Sequence, residues 1–267
     1  MNRAVIAVIP ILALALQSPS FSAGGGRAFD RVPQLVLWAW ERPTDLRGLR
    51  ADVGVAFLAQ TIVVRGGRVD VVPRRQPLRV SDGTPLIAVT RIEVPARESA
   101  ALTPAALERM ARAIAETARP RITAVQIDFD ATASQRLAYR DLLRRIRDAM
   151  GPDVPLSMTA LASWCAGDAW LEGLPVDEAV PMVFQMGPAE PRLRDGTADF
   201  IRAPACRGAV GTSLDEPVAL PGDGRRIYVF NPAPWSDASI AAARGLASGI
   251  SPPVGARTHV SSPGFIR

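Results

Sequence analysis

The chain has 267 residues, 48% of them hydrophobic, with a formal net charge of +5 and a pI near 10.4. That length and apolar content suit one large globular domain with a substantial core. All 31 basic residues are arginines, scattered in nothing longer than pairs such as Arg74-Arg75, Arg144-Arg145 and Arg225-Arg226, so the charge does not draw the basic stripe that nucleic-acid binding needs.

Met1-Asn2-Arg3, the apolar run from Ala4 to Leu16 and the small, polar residues to Ala23 have the layout of a secretory signal. The apolar run is too short to span a bilayer and no later stretch is long enough. The expectation is a leader over 1–23, cleaved near Ser22 or Ala23, and a periplasmic or extracellular protein without an integral membrane segment. An uncleaved tether is the alternative reading. No cysteine stands near the cleavage point, which argues against a lipid anchor.

Strand-like apolar runs then recur: Leu35 to Trp40, Val53 to Ala59, Leu86 to Ile92, Ala124 to Asp130, Leu156 to Leu161, Ala179 to Met186, Ala209 to Leu214 and Ile227 to Phe230. After the second, Ile62 to Arg65, Gly66-Gly67 and Arg68 to Val72 read as a β-hairpin in place of a helix. After the third, Thr103 as N-cap, Pro104 at the first position and Leu107, Met110 and Ile114 on one face predict a helix. After the fourth, Leu142, Leu143, Ile146 and Met150 predict another over 133–150, stopped at Gly151-Pro152. The segment 188–204 is proline-rich and weakly helical, and residues 250–267 read as a tail. Eight runs with helices between several of them predict an α/β fold, a somewhat irregular (β/α)8 TIM-like barrel over 30–249.

Cys165 and Cys206 can bridge in an oxidising compartment. Their expected positions, just after one strand and just before another, put them at opposite ends of the sheet, which argues against it. His259, the single histidine, lies in the Ser/Pro/Gly-rich tail, so neither a histidine-dependent triad nor a multi-histidine zinc site is expected. No metal or cofactor is called for.

The fourth run carries the most information. In Val125-Gln126-Ile127-Asp128-Phe129-Asp130 the polar residues alternate with the apolar ones, so a strand puts Gln126, Asp128 and Asp130 on one face. A central strand of a βα unit is ordinarily apolar on both faces, and a buried unpaired charge costs several kcal/mol. A pocket accounts for the carboxylates. The bland alternatives are that Asp130 caps the next helix and that Asp128 pairs with an arginine such as Arg91.

Reactive groups of such barrels lie at the carboxyl ends of the strands. There the sequence offers Trp38, Trp40 and Glu41; Gln60; Arg91 and Glu93; Gln126, Asp128 and Asp130; Trp164; Gln185; Asp215 and Glu216; and Asn231 and Trp235. Indole faces stack on sugar rings while carboxylates and amides bond hydroxyls, so the expected partner is a carbohydrate. Trp164 and Trp235 are the expected stacking platforms, with Trp40, Glu41, Glu93, Gln126 and Gln185 as further contacts. Trp38, deeper in its strand, suits the barrel core.

The phrases Leu-Trp-Ala-Trp-Glu-Arg (37–42), Val-Gln-Ile-Asp-Phe-Asp-Ala (125–131), Ser-Met-Thr-Ala-Leu-Ala-Ser-Trp-Cys (157–165), Val-Pro-Met-Val-Phe-Gln-Met-Gly (180–187) and Ser-Leu-Asp-Glu-Pro (213–217) resemble the bacterial family known as domain of unknown function 3142. The resemblance implies a glycoside-hydrolase-like barrel of uncharacterised activity. More distantly, the fourth run resembles family 18 chitinase-like barrels, where it ends in Asp-x-Asp-x-Glu. Here Thr132 replaces that glutamate, so the chitinase mechanism does not carry over.

Another pairing remains. Many retaining glycosidases of this fold draw their two carboxylates from the ends of strands four and seven, the places of Asp130 and of Glu216 or Asp215. The expected chemistry is glycan hydrolysis, Asp130 acting as general acid/base and Glu216 as nucleophile, with Asp128 tuning Asp130. Asp215-Glu216 also reads as an ordinary turn, and a non-catalytic glycan-binding or envelope-assembly protein is the second class.

Overall fold

The computed structural model describes residues 29–184, 186, 201–218 and 224–249. The expected leader, the tail, Gln185 and most of the proline-rich segment fall outside these residues. In chain order the elements are β1 (Leu35–Ala39), β2 (Thr44–Leu46), β3 (Val53–Arg65), β4 (Arg68–Pro73), β5 (Leu78–Val80), β6 (Leu86–Glu93), α1 (Pro104–Ala115), β7 (Ile122–Asp128), α2 (Arg136–Met150), β8 (Leu156–Leu161), α3 (Ala162–Cys165), β9 (Glu178–Met182), β10 (Ala209–Ser213), β11 (Arg226–Phe230) and α4 (Asp237–Ala247).

Eight of the strands form a closed parallel barrel in the ring order β1, β3, β6, β7, β8, β9, β10, β11. The pairing of β1 with β3, from Leu35 opposite Val53 to Ala39 opposite Phe57, joins the two ends of the sheet. Each of the eight apolar runs is one barrel strand. The hairpin is also present, but as an unbroken extension of β3, whose 13 residues outrun the barrel wall and fold back as antiparallel β4. Gly66 and Gly67, with φ of 56° and 76°, make the two-residue turn, a conformation open to glycine at little cost.

The alternation in β7 separates two layers. Val125, Ile127 and Phe129 join the outer core under α1 and α2, together with Leu107, Met110, Ile114, Leu142, Leu143 and Ile146. Gln126 and Asp128 point into the barrel, whose interior also holds Val36, Trp38, Ile87, Val89, Val180 and Tyr228. A third cluster packs α4 against β1, β3, β10 and β11. The helix starts are built as their sequences suggest: Thr103 Oγ1 accepts from the Ala106 amide, and Pro104 opens α1.

The cysteines correct the sequence reading. Cys165 and Cys206 are bridged, with Cα atoms 5.9 Å apart. Distances counted along the strands mislead here, because neither residue is at a strand tip. α3 and the 3-10 turn Pro204–Cys206 both pack outside the barrel against β9, and the Cys165 carbonyl accepts from the amides of Arg202 and Ala203.

Candidate functional site

The barrel floor is a buried hydrogen-bonded network. Glu178, the first residue of β9, accepts from Tyr228 OH at 2.8 Å, from Ser157 Oγ at 3.3 Å and from Arg226. Desolvation pushes the Glu178 carboxyl up and Arg226 opposes it. Arg226 also bonds the carbonyls of Phe29, Val32 and Pro33, fixing the N-terminal segment across this end. Ser157 Oγ accepts from Gln126 Nε2 at 3.1 Å, and Gln126 Oε1 accepts from Trp38 Nε1 at 2.9 Å. Gln126, expected as a sugar contact, is thus fully buried with its amide committed to the interior.

The carboxyl ends of the strands carry the other polar set. Asp128 is buried, with one oxygen accepting from Arg91 Nη1 at 3.0 Å and the other from Thr159 Oγ1 at 2.8 Å. The arginine pairing, one of the two bland expectations, is therefore real. Arg91 Nε also bonds Glu93 at 3.2 Å, so Glu93 faces the arginine at the rim.

Asp130, just past the end of β7, is different. It has no hydrogen bond or ion pair among the described residues, and it does not cap a helix. Thr132 opens the turn that leads into α2, its amide donating to Gln135 Oε1 at 2.9 Å. The Asp130 carboxyl is pushed up to about 6, first by desolvation and then by the charge of Asp128, with Arg91 opposing. Its side chain is nevertheless solvent-exposed. Both observations hold for a group at the carboxyl end of its strand that is flanked by protein yet reachable from solvent.

Aromatic side chains form the facing wall. Phe230 ends β11, four strands around the eight-strand ring from β7. It stacks on Phe184 with centroids 5.8 Å apart and planes at 11°, and meets the edge of half-buried Trp40 at 6.3 Å. Phe184 and Phe230 were not among the expected contacts. The inward alternation of Val180, Met182 and Phe184 is the sequence signal for Phe184.

The expected platforms fare differently. Trp164 is buried, 2% exposed, edge-on to Trp170 at 4.8 Å and under Arg136, so neither face is offered to a ligand. A residue just past a strand end lies at the mouth only if its connection stays there, and α3 turns outward. Trp235 is half-buried, its Nε1 donating to the Trp38 carbonyl at 2.9 Å. Glu41 is exposed and accepts from the amides of Arg75 and Gln76, holding the segment after β4. Asp215 is exposed and accepts from Ser213 Oγ, and Glu216 beside it is half-buried. Both follow β10, three strands around the ring from β7, at the same end of the barrel. Among the described residues no group of three or more His, Cys, Asp or Glu is arranged to hold a metal.

The family model described as domain of unknown function (DUF3142) matches residues 82–231, more than half of the chain. The chain belongs to this family. The matched region runs from just before β6 to the end of β11, and so includes Arg91, Asp128, Asp130, Thr159 and Phe230. No curated protein matches the sequence. Among solved structures the chain is similar to the chitinase domain of the spore coat protein CotE from Clostridium difficile, at 17% identity and a TM-score of 0.43, over 83% of this chain and 68% of that one.

Proposed function

We propose that this DUF3142 protein is an exported, glycoside-hydrolase-like enzyme acting on a polysaccharide or cell-envelope glycan. The observation that carries the reading is Asp130, a carboxyl at the barrel mouth that is unpaired among the described residues and pushed up to about 6, opposite an aromatic wall. General acid catalysis of glycoside cleavage needs a carboxylic acid that keeps its proton until the leaving oxygen takes it. Asp128, fixed by Arg91 and Thr159, supplies the neighbouring negative charge that helps keep the proton on. Glu216, or Asp215, at the end of β10 is the second carboxylate, attacking the anomeric carbon or activating water. Half-buried Trp40 and Phe184, backed by Phe230, offer a surface of the kind sugar rings stack on.

Export is supported by the leader-like first 23 residues and by the Cys165–Cys206 bridge, which an oxidising compartment favours. A second reading, a non-catalytic glycan-binding protein, is favoured by Thr132, which opens the α2 turn where a family 18 barrel carries its acid.

A glycan-library screen for binding and for reducing-end release, run with wild type and Asp130→Asn, separates the two. The enzyme releases ends, and the variant loses release on the order of 100-fold or more while still binding. Binding without release, equal in both proteins, retires the enzymatic reading.

A further inference from the structure

Tyr139, on the second turn of α2, is completely buried. Its ring meets Phe129 edge-on, with centroids 5.1 Å apart and planes at 69°, and lies 5.8 Å from Trp170. Phe129 is the residue between Asp128 and Asp130, so Tyr139 packs directly behind the acid pair. Its hydroxyl has no hydrogen-bond partner among the described residues. A buried hydroxyl without a partner costs on the order of 1–3 kcal/mol, so one that persists calls for an explanation.

Two carboxylates, Asp128 and Asp130, flank the residue on which this ring packs. After desolvation, the charges of Asp128 and then Asp130 hold the phenol well above its ordinary pKa, so it stays a donor. Asp128 has both oxygens taken, by Arg91 and Thr159. Asp130 has neither oxygen hydrogen-bonded among the described residues. An unused donor and an unused acceptor thus stand on the two sides of one β7–α2 connection.

We propose that Tyr139 is a positioning residue for Asp130: its hydroxyl donates to the Asp130 carboxylate, directly after rotation of the aspartate side chain or through one water. This rests on Asp130 being the acid of the proposed reaction. In that step the Asp130 proton passes to the glycosidic oxygen as the bond from that oxygen to the anomeric carbon breaks. The carboxylate left behind is then held by Tyr139, which keeps its own proton throughout. While Asp130 is protonated the demand for this donor is weak, so the contact strengthens as charge develops.

The test needs no substrate. The carboxyl carbon of Asp130 is titrated by carbon-13 NMR in the disulfide-bonded protein, in wild type and in Tyr139→Phe, which keeps the ring and removes only the hydroxyl. Loss of a donor to the charged form raises the Asp130 midpoint, by on the order of one pH unit for a single hydrogen bond to a carboxylate. An unchanged midpoint in the folded variant overturns the role of Tyr139 and leaves the acid reading intact. A wild-type midpoint at the ordinary aspartate value strikes the acid reading itself. If Tyr139→Phe does not fold, the wild-type Tyr139 hydroxyl proton decides. It exchanges more slowly above the Asp130 midpoint than below it if the bond forms, and its exchange is indifferent to that midpoint if it does not.

Discussion

Two aspartates separated by a single residue have opposite relations to the fold. Asp128 is held by two donors, and replacing it with asparagine leaves Arg91, whose side chain is 19% exposed, facing a neutral amide. Asp128→Asn is expected to destabilise the protein by about 1–3 kcal/mol at neutral pH, read as a lower denaturant midpoint. Asp130 behaves in the reverse sense. Its folded pKa, about 6, lies above the ordinary aspartate value of 3.8, so its favourable contribution is complete below pH 4 and is lost as pH rises through 6. Asp130→Asn therefore matches wild type at pH 4 and is the more stable protein at pH 7. Discounted for the solvent exposure of the group, the gain is about 1 kcal/mol, or about 2–4 °C in melting temperature. A melting-temperature difference that does not grow between pH 4 and pH 7 counts against the raised pKa. The alternation of polar and apolar residues in 125–130 was enough to read the inward face, but not which aspartate was paired. That depends on Arg91 and Thr159, which the register of β6, β7 and β8 brings alongside and which no local pattern marks.

Among the elements, those whose sequence signal is local were legible: the glycine-glycine hairpin turn, the Thr103-Pro104 helix start and the helix stop at Gly151. Trp164 is buried and not at the mouth: strand spacing says where a strand ends but not which way its connection departs. Gly211 is the clearest case of a residue whose reason is purely tertiary. A Cβ at this position in β10 would stand 2.7 Å from the Trp38 ring, and Trp38 is held in place by its bond to Gln126 across the interior. The ring cannot retreat without breaking that bond. Gly211→Ala is expected to cost about 1–3 kcal/mol, the range for overpacking a filled core. It should also change the near-ultraviolet circular dichroism of the indole. A variant that melts with wild type and keeps that spectrum shows that Trp38 moves more freely than its hydrogen bond implies.

For the whole molecule, the barrel was legible because closure imposes a count, and eight apolar runs of strand length meet it. The disulfide was not, because it belongs to the connections packed outside β9 and not to the strands. It closes a sequence separation of 41 residues. A cross-link over a loop of that length restricts the unfolded chain by about 4 kcal/mol in the chain-entropy account, which for a domain of this size is about 8–16 °C of melting temperature. The loss in a Cys165→Ser/Cys206→Ser variant should therefore be large. Both sulfurs belong to residues with no exposed surface, so mild reductant should act on the native protein only as fast as it opens, whereas the double variant is weakened at once. Melting wild type with and without reductant, beside the double variant, distinguishes these cases. A bridge that contributes as the loop length implies gives equal melting temperatures for the variant and for wild type refolded under reductant, both well below the oxidised protein. If all three coincide, the contacts of Cys165 with the 201–206 segment hold that wall of the barrel without the covalent bond.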